Sequence, residues 1–295
     1  MKRKVITALL AATMVASLAV GCGNKGGDSK SDSSKSSSSD EITIGFSQVG
    51  AESDWRTANS ESMKSTFSEK NGYKLIFDDA QQKQENQITA IRNFIQQDVD
   101  YIVLAPVTET GWDTVLKEAK DADIPVIIVD RMIDVSDDSL YTAWVGSNFK
   151  MEGQKACEWL NAYAEAKGMK EVNIAHIQGT IGASAQIGRT EGLEEAAKEY
   201  GWNIVAQQTG EFTQAKGQEV MESMLKQHDN INVVYCENDN EAFGAIDAIE
   251  AAGKTVGPDG DILVMSFDTT NAGLTDTLSG KIICDTECNL SLIHI

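Results

Sequence analysis

The sequence predicts an α/β protein built from two doubly wound lobes, and three observations lead to that prediction. From Glu41 onward, short β-rich runs alternate with segments of helical period, the pattern of a parallel sheet with crossover helices. These runs fall into two series with the same β–α rhythm, which favours two lobes over one barrel. With 295 residues, of which 41% are hydrophobic, the chain is long enough to bury two cores.

Nine segments are predicted as strands because β-branched and aliphatic residues dominate each of them. The first series covers residues 42–47, 73–78, 101–106 and 124–129, and the second covers residues 172–178, 202–208, 231–236, 262–267 and 281–287. Segments between them, such as QENQITAIRNFIQQ and RTEGLEEAAKEY, are predicted as amphipathic helices. Residues 141–148, YTAWVGSN, are predicted to make the first crossing between the lobes.

Residues 1–21 have the pattern of a secretory signal rather than of a transmembrane span. Basic residues at positions 2–4 precede an apolar run over 5–20, and Cys22 follows. This arrangement resembles the bacterial lipoprotein signal, which implies that Cys22 is lipidated and holds the protein at a membrane surface. A plain secretory signal is the alternative, because Ala19 stands where Leu is commoner in lipoprotein signals.

Residues 22–40 are predicted to form a flexible tether that follows the lipid anchor. After Cys22 this segment consists of Ser, Gly, Lys, Asp and Asn, without one apolar residue that could pack. The functional part of the protein would therefore stay near a membrane while remaining free to swing.

The net charge and the lack of common catalytic motifs in the sequence argue against several classes of protein. A formal net charge of −20 argues against nucleic acid or anionic lipid as a partner and fits an exported protein. The chain has no GxGxxG after a strand, no GxxxxGK[ST] loop and no GxSxG motif. Its three histidines include His176 in a predicted strand and His228 at a predicted helix end, neither placed like a general base. Binding without catalysis and without a cofactor is favoured.

The cysteines other than Cys22 are predicted to be small core residues. Cys157, Cys236, Cys284 and Cys288 show no zinc-type spacing, so no metal site is expected. Cys284 and Cys288 fall in one predicted strand, which would separate them by about 13 Å, too far for a disulfide.

Polar residues follow several predicted strands at their carboxyl ends. Asp130 and Arg131 close the fourth strand, Asn238 and Asp239 come shortly after Cys236, and Asp268 follows directly on another strand. In open α/β sheets, ligands bind beyond the carboxyl ends of the strands, so residues from both lobes would meet across a cleft there. For each residue alone, helix capping or a solvated loop is the alternative.

This edge has the chemistry of a sugar site. A sugar hydroxyl both donates and accepts hydrogen bonds, so its site needs carboxylates, planar donors and aromatic faces for the C–H side of the ring. Asp130 and Arg131 supply the first two side by side, and Trp55, Phe212 and Phe267 lie near predicted strand ends. Burial in the core is the alternative for each aromatic residue.

Segments along most of the chain resemble one group of known proteins. GFSQVGAESDWR, DAQQKQENQ, APVTETGW, VDRMIDVSDDSLY, QGTIGASAQIGRTEG, EFTQAKGQEVMES, ENDNEAFGAIDAIEAAG and SFD resemble the ribose/galactose group of sugar-binding proteins of ABC transporters, in particular its galactofuranose-binding members. The similarity runs from about residue 42 to residue 289.

The resemblance implies a periplasmic-binding-protein type I fold, with two Rossmann-like lobes, at 41–146 and 147–289, joined by a hinge and closing on one sugar. It implies ligand contacts from Trp55, Arg56, Asp130, Arg131, Arg189, Phe212, Asn238 and Asp268. The expected function is capture of galactofuranose, or of a related pentose or hexose, and its delivery to the permease of an ABC importer. The protein would act as a monomer.

Three other functions share parts of this pattern. A sugar-sensing protein that serves a histidine kinase or chemoreceptor would look the same, and gene neighbours would separate it from a transport protein. A repressor with this fold would need a basic helix-turn-helix, but the signal and tether occupy that place. A sugar-processing enzyme would turn over its bound sugar.

Two departures from the group leave the identity of the sugar open. Asn240 stands where Asp is common, and Thr269 stands where Gly is common. Both lie beside expected ligand contacts.

The end of the chain is expected to depart from the group altogether. Residues 290–295, LSLIHI, are also what the transposon mosaic end CTGTCTCTTATACACATC encodes in frame, so we interpret them as a tail foreign to the protein. The resemblance implies that the last segment of the first lobe would follow residue 289 and is missing.

Overall fold

The first lobe holds a parallel sheet of five strands, in the order β2-β1-β3-β4-β5. Its strands are β1 (Ile42–Gln48), β2 (Tyr73–Asp79), β3 (Tyr101–Leu104), β4 (Val126–Val129) and β5 (Ala143–Val145). The helices between them are α1 (Asp54–Thr66), α2 (Gln84–Gln96) and α3 (Asp113–Asp121). These elements come from a computed structural model, which describes residues 41–289.

The second lobe repeats this plan with a sheet in the order β10-β9-β8-β6-β7, also parallel throughout. Its strands are β6 (Asn173–Gln178), β7 (Asn203–Thr209), β8 (Val233–Cys236), β9 (Leu263–Asp268) and β10 (Cys284–Glu287). Its helices are α4 (Phe149–Lys167), α5 (Ser184–Tyr200), α6 (Gln214–Gln227), α7 (Asp239–Ala251) and α8 (Asn271–Ser279). The prediction of two doubly wound α/β lobes is confirmed.

Several strands are shorter than the sequence predicts. β3 ends at Leu104, two residues before Pro106, and β4 begins at Val126, just after Pro125. Proline has no N–H to donate to the ladder, which limits a strand at that position. The predicted crossing at 141–148 contains β5, which pairs with β4 before the chain enters the second lobe at α4.

Each sheet is buried between its own helices. The largest fully buried side chains include Trp112, Phe94 and Leu104 in the first lobe and Tyr235 and Phe267 in the second. Parallel strands that are covered on both faces consist of nearly continuous apolar residues, and this pattern makes them recognisable in the sequence.

Three of the four cysteines predicted as core residues are buried among apolar side chains. Cys157 and Cys236 lie in the cores of the second lobe, and the partly buried Cys284 packs against the core that contains Cys157. Cys288 is buried in an apolar cluster between the lobes, with Trp55, Phe149 and Phe212. All four are free thiols.

Some sequence predictions fall outside the described residues. They are the signal at 1–21, the tether at 22–40 with its lipidated Cys22, and the tail at 290–295. Within residues 41–289, no helix is both long and apolar enough to cross a bilayer, and no group of His, Cys, Asp and Glu is arranged to hold a metal ion.

Candidate functional site

The carboxyl ends of the strands in both lobes border one interlobe cleft. Thirteen residues line it: Glu52, Ser53, Trp55, Arg56, Asp130, Arg131, Phe149, Ala185, Arg189, Phe212, Asn238, Asp268 and Cys288. All eight residues expected as ligand contacts are among them. The sequence reasoning missed the other five, of which Glu52 carries charge.

Helix α1 brings Trp55 and Arg56 to the cleft in its first turn. Ser53 caps the helix, and its Oγ accepts a hydrogen bond from the Arg56 backbone N–H at 3.1 Å. The Arg56 guanidinium donates to Asp130 Oδ2 at 2.6 Å and to Glu52 Oε1 at 3.1 Å. Burial opposes its charge, but Asp130 and Glu52 outweigh that effect and raise the pKa of Arg56. Arg56 is therefore a fixed cation.

Arg131 is a second buried cation that shares the same acid. Its Nη2 lies 3.4 Å from Glu52 Oε1, and its Nη1 donates to the carbonyl of Val107 at 3.3 Å. Burial, together with repulsion from Arg56, lowers the pKa of Arg131 to about 10, so it remains charged at neutral pH.

Two polar atoms of this group have no partner among the described residues. Arg56 Nη1 is an unpaired donor, and Glu52 Oε2 is an unpaired acceptor. Buried polar atoms are normally satisfied, so an unpaired donor and acceptor on neighbouring cleft residues suit a ligand group that does both.

Arg189, on α5, is a cation that the second lobe contributes to the cleft. Its Nε and Nη2 lie 3.1 and 2.9 Å from Glu152 Oε2, and its Nη1 donates to the carbonyl of Glu237. Its guanidinium carbon lies 5.3 Å from the centre of the Phe149 ring and 4.7 Å from that of Phe267, within cation–π range. Burial opposes the charge, but Glu152 and Asp268 raise the pKa of Arg189.

Asp268, at the end of β9, is a buried carboxyl. Its closest charged partner is Arg189, with Nη2 at 3.6 Å from Oδ1. Burial raises the pKa of Asp268 well above its usual value; Arg189 opposes this, and Asp239 adds to it. The carboxyl keeps capacity to exchange hydrogen bonds with a ligand.

Asn238 and Phe212 form the neighbouring part of this wall. Asn238 caps α7, with Oδ1 accepting from the Glu241 N–H at 2.9 Å, and its Nδ2 donates to the Phe212 carbonyl at 3.1 Å. The capping alternative is thus correct for Asn238, which also lines the cleft. The Arg131 guanidinium lies over the Phe212 ring, 4.9 Å from its centre, across the two lobes.

Three cleft residues have a left-handed backbone. The φ angles of Asp130, Phe212 and Asp268 are 63°, 61° and 106°. Such conformations cost about 1–3 kcal/mol in a residue other than glycine and concentrate at functional sites. They turn the chain sharply at the strand ends and so expose these side chains to the cleft.

Direct hydrogen bonds connect the lobes around the cleft, so the structure is closed. Trp55 Nε1 donates to the Cys288 carbonyl at 3.0 Å, and the Asp54 N–H donates to Asn240 Oδ1 at 2.9 Å. The Met132 N–H donates to Ser184 Oγ at 2.8 Å, and the Glu109 N–H donates to the Gly182 carbonyl at 2.8 Å.

Charged side chains of both signs line the cleft. Three arginines and three acidic residues are among them, Arg56, Arg131 and Arg189 with Glu52, Asp130 and Asp268, and aromatic rings lie between them. A neutral ligand with several hydroxyls fits this mixture, because each hydroxyl can pair with both types of group.

Comparison with known proteins places this architecture in one family. Residues 44–284 match the model of the periplasmic binding protein domain. The chain is 47% identical over 255 residues to the galactofuranose-binding protein YtfQ of Escherichia coli, an alignment that covers 85% of this chain and 76% of that protein.

Two solved structures are similar over most of their length. One is a Mycobacterium smegmatis protein in complex with β-D-fucofuranose, with 46% identity and a TM-score of 0.81, covering 85% of this chain and 82% of the other. The second is the binding protein of the arabinose ABC transporter from Shewanella sp. ANA-3, bound to α- and β-L-arabinofuranose, with 47% identity, a TM-score of 0.79 and the same coverage.

Proposed function

The chain belongs to the periplasmic binding protein family, and from this premise we propose that it captures a monosaccharide for an ABC importer. The ligand is a sugar in its furanose form, galactofuranose or a related pentose or hexose. The names of the relatives support this choice, since they mention galactofuranose, fucofuranose and arabinofuranose.

The mixed set of buried arginines and acidic side chains in the closed cleft is the observation that carries this proposal. Three arginines and three acidic residues lie there together with aromatic faces. Each hydroxyl of a neutral sugar can donate to a carboxylate and accept from a guanidinium, so this set of groups suits a polyhydroxyl ring.

Each lobe has its own role in this proposal. Arg56, Asp130 and Arg131 hold sugar hydroxyls from the first lobe, and Arg189 and Asp268 hold them from the second. Trp55 and Phe212 face the C–H side of the ring, and Asn238 supplies an amide. Because both lobes contact the sugar, its binding stabilises the closed arrangement.

The proposal extends to where the protein works. The family functions outside the cytoplasm, and we propose that Cys22 carries the lipid that holds this protein at the membrane, with residues 22–40 as tether. Residues 41–146 and 147–289 form the two lobes of a monomer that presents the sugar to a permease. The sugar leaves the cleft chemically unchanged.

Isothermal titration calorimetry with galactose, arabinose, fucose, ribose and glucose tests the proposal. We expect saturable binding of at least one sugar with one site per chain, and recovery of that sugar unchanged. If no sugar produced heat or raised the melting temperature, a monosaccharide would not be the ligand. If the recovered sugar were modified, the protein would be an enzyme.

A further inference from the structure

The main chain of Phe212 is held by the first turn of α7. Its N–H donates to Glu241 Oε1 at 2.9 Å, and its carbonyl accepts from Asn238 Nδ2 at 3.1 Å. Phe212 has a φ of 61°, a region that a bulky residue enters at a cost. These two hydrogen bonds therefore fix a conformation that Phe212 does not favour by itself.

A loop with the same backbone conformation follows β2 in the first lobe, but the N–H that corresponds to that of Phe212 is bonded there to the main chain instead of to a side chain. Gln81 and Gln82 follow β2 with φ angles of 54° and 59°, as Glu211 and Phe212 follow β7 with 57° and 61°. The Gln82 N–H donates to a main-chain carbonyl, that of Val49, at 2.7 Å. In the second lobe a carboxyl oxygen replaces this main-chain acceptor, so the Phe212 N–H depends on a side chain for its hydrogen bond.

The Glu241 carboxyl is directed at this contact. In an ordinary capping box, a Glu three residues after the cap turns back to the N–H of the cap residue, but Glu241 Oε1 extends to the β7–α6 loop. The residue is fully buried, and a Cβ at Gly210 would lie only 2.7 Å from Oε1. Oε2 has no partner in the described part of the chain.

Phe212 in turn faces the opposite lobe. Its ring packs on Gly179 of its own lobe, where a Cβ would overlap the ring, and Arg131 of the first lobe lies over it. A shift of the Phe212 main chain would thus move the ring away from both the sugar and Arg131.

We infer that Glu241 is a positioning residue for sugar binding, which holds Phe212 in its left-handed conformation and so sets the ring against the sugar and Arg131. Glu241 does not itself line the cleft. This inference rests on the proposed function, because it assigns Phe212 to the sugar site.

Glutamine is the matched replacement for Glu241. Glutamine has the length of glutamate and keeps a side-chain oxygen, and burial together with the nearby Glu237 raises the pKa of Glu241 well above its usual value. Glu241→Gln keeps the acceptor for the Phe212 N–H, whereas Glu241→Ala removes it.

The test is a double-mutant cycle read by calorimetry with the sugar that the wild-type protein binds best. We expect Glu241→Ala to weaken sugar binding by on the order of tenfold, the effect of leaving one buried N–H unpaired. Glu241→Gln should retain most of the affinity that Glu241→Ala loses. In a Phe212→Ala background, Glu241→Ala should produce less than about a twofold further change, because coupled residues are not additive.

Three results would overturn the inference: wild-type affinity in Glu241→Ala, an equal loss in Glu241→Gln, or the same tenfold loss in the Phe212→Ala background. Crystal structures of the ligand-free variants separate this inference from the proposed function. Should no sugar bind at all, the proposed function fails, and the position of Phe212 in Glu241→Ala still decides the role of Glu241. An unchanged Phe212 backbone there would refute it.

Discussion

Arg56 Nη2 lies 2.6 Å from Asp130 Oδ2, and this contact joins the first turn of α1 to the end of β4 inside the cleft. Both side chains are almost fully buried. The pair therefore fixes a cation and an anion at the wall of the cleft, where each can still bond to a ligand hydroxyl.

Replacing Asp130 by alanine should weaken sugar binding at least a hundredfold. The change leaves Arg56 and Arg131 buried with Glu52 as their remaining acid, and uncompensated buried charge costs about 3–5 kcal/mol. Titration calorimetry measures the affinity, and thermal unfolding measures the stability. Asp130→Asn, which keeps the size and one acceptor, should lose less than Asp130→Ala. Equal affinity in wild type and Asp130→Ala would remove Asp130 from the site.

Ser184 and Asn240 should control closure without affecting selectivity. Each accepts a hydrogen bond from the first lobe, and neither lines the cleft. The apparent affinity scales with the fraction of protein that is closed. Ser184→Ala and Asn240→Ala should therefore lower the affinity for every sugar by the same factor. This factor is about fivefold for the loss of a hydrogen bond worth about 1 kcal/mol. Ser279→Ala, which loses a bond within its own lobe, is the control. A changed ranking of sugars would contradict this account.

Thr269→Gly should stabilise the protein. Thr269 has a φ of 57°, where a β-branched side chain is strained, and glycine is free of that strain. We expect a gain of about 1 kcal/mol in the free energy of unfolding, measured with urea. Thr270→Gly should instead destabilise, because Thr270 caps α8 with a φ of −66°. If Thr269→Gly lowered the free energy of unfolding instead, the Thr269 side chain would contribute more stability than its backbone strain removes.

The stability of the second lobe should fall as pH rises between about 4 and 8. Burial and the neighbouring Asp239 raise the pKa of Asp285 from 3.8 to about 8. In that window the folded protein keeps a proton that the unfolded chain has released, so the free energy of unfolding decreases with pH and levels off above about 8.

Asp285→Asn removes this contribution, since an amide imitates the protonated acid. The stability of the variant relative to wild type should therefore increase from pH 5 to pH 8.5, measured by urea unfolding. Asp259→Asn, on the exposed surface, serves as the control. A constant difference across this range would exclude Asp285 as the titrating group.

The sequence predicts much of this site because parallel strands bring their carboxyl ends to one edge. Asp130, Asn238 and Asp268 could be placed there from the strand pattern alone, whereas Arg189 lies inside a helix and was identified only through the family resemblance. Glu52 was not predicted as a site residue because it lies in the loop before α1, where a charged residue is usually exposed to solvent. The spacing of four residues between Glu52 and Arg56 suits an ion pair, but nothing near Glu52 along the chain indicates that Arg131 contacts the same carboxylate.

The parts of the fold that escaped prediction depend on contacts between distant residues. The hydrogen bonds from Asp54 to Asn240 and from Met132 to Ser184 join residues of different lobes. Asn240 was noted in the sequence only as a departure from the family pattern, and the structure gives it a role in joining the lobes. Cys288 is buried among apolar side chains, as predicted, but its cluster joins the two lobes at the cleft, which the sequence did not indicate.

A crystal structure of the protein with the sugar that binds most tightly tests the central claim most directly. We expect one sugar in furanose form in the interlobe cleft, with its hydroxyls within hydrogen-bond distance of Arg56, Asp130, Arg189 and Asp268 and its ring beside Trp55 or Phe212. A sugar bound elsewhere, or a cleft that stays empty while calorimetry shows saturated binding, would contradict the account.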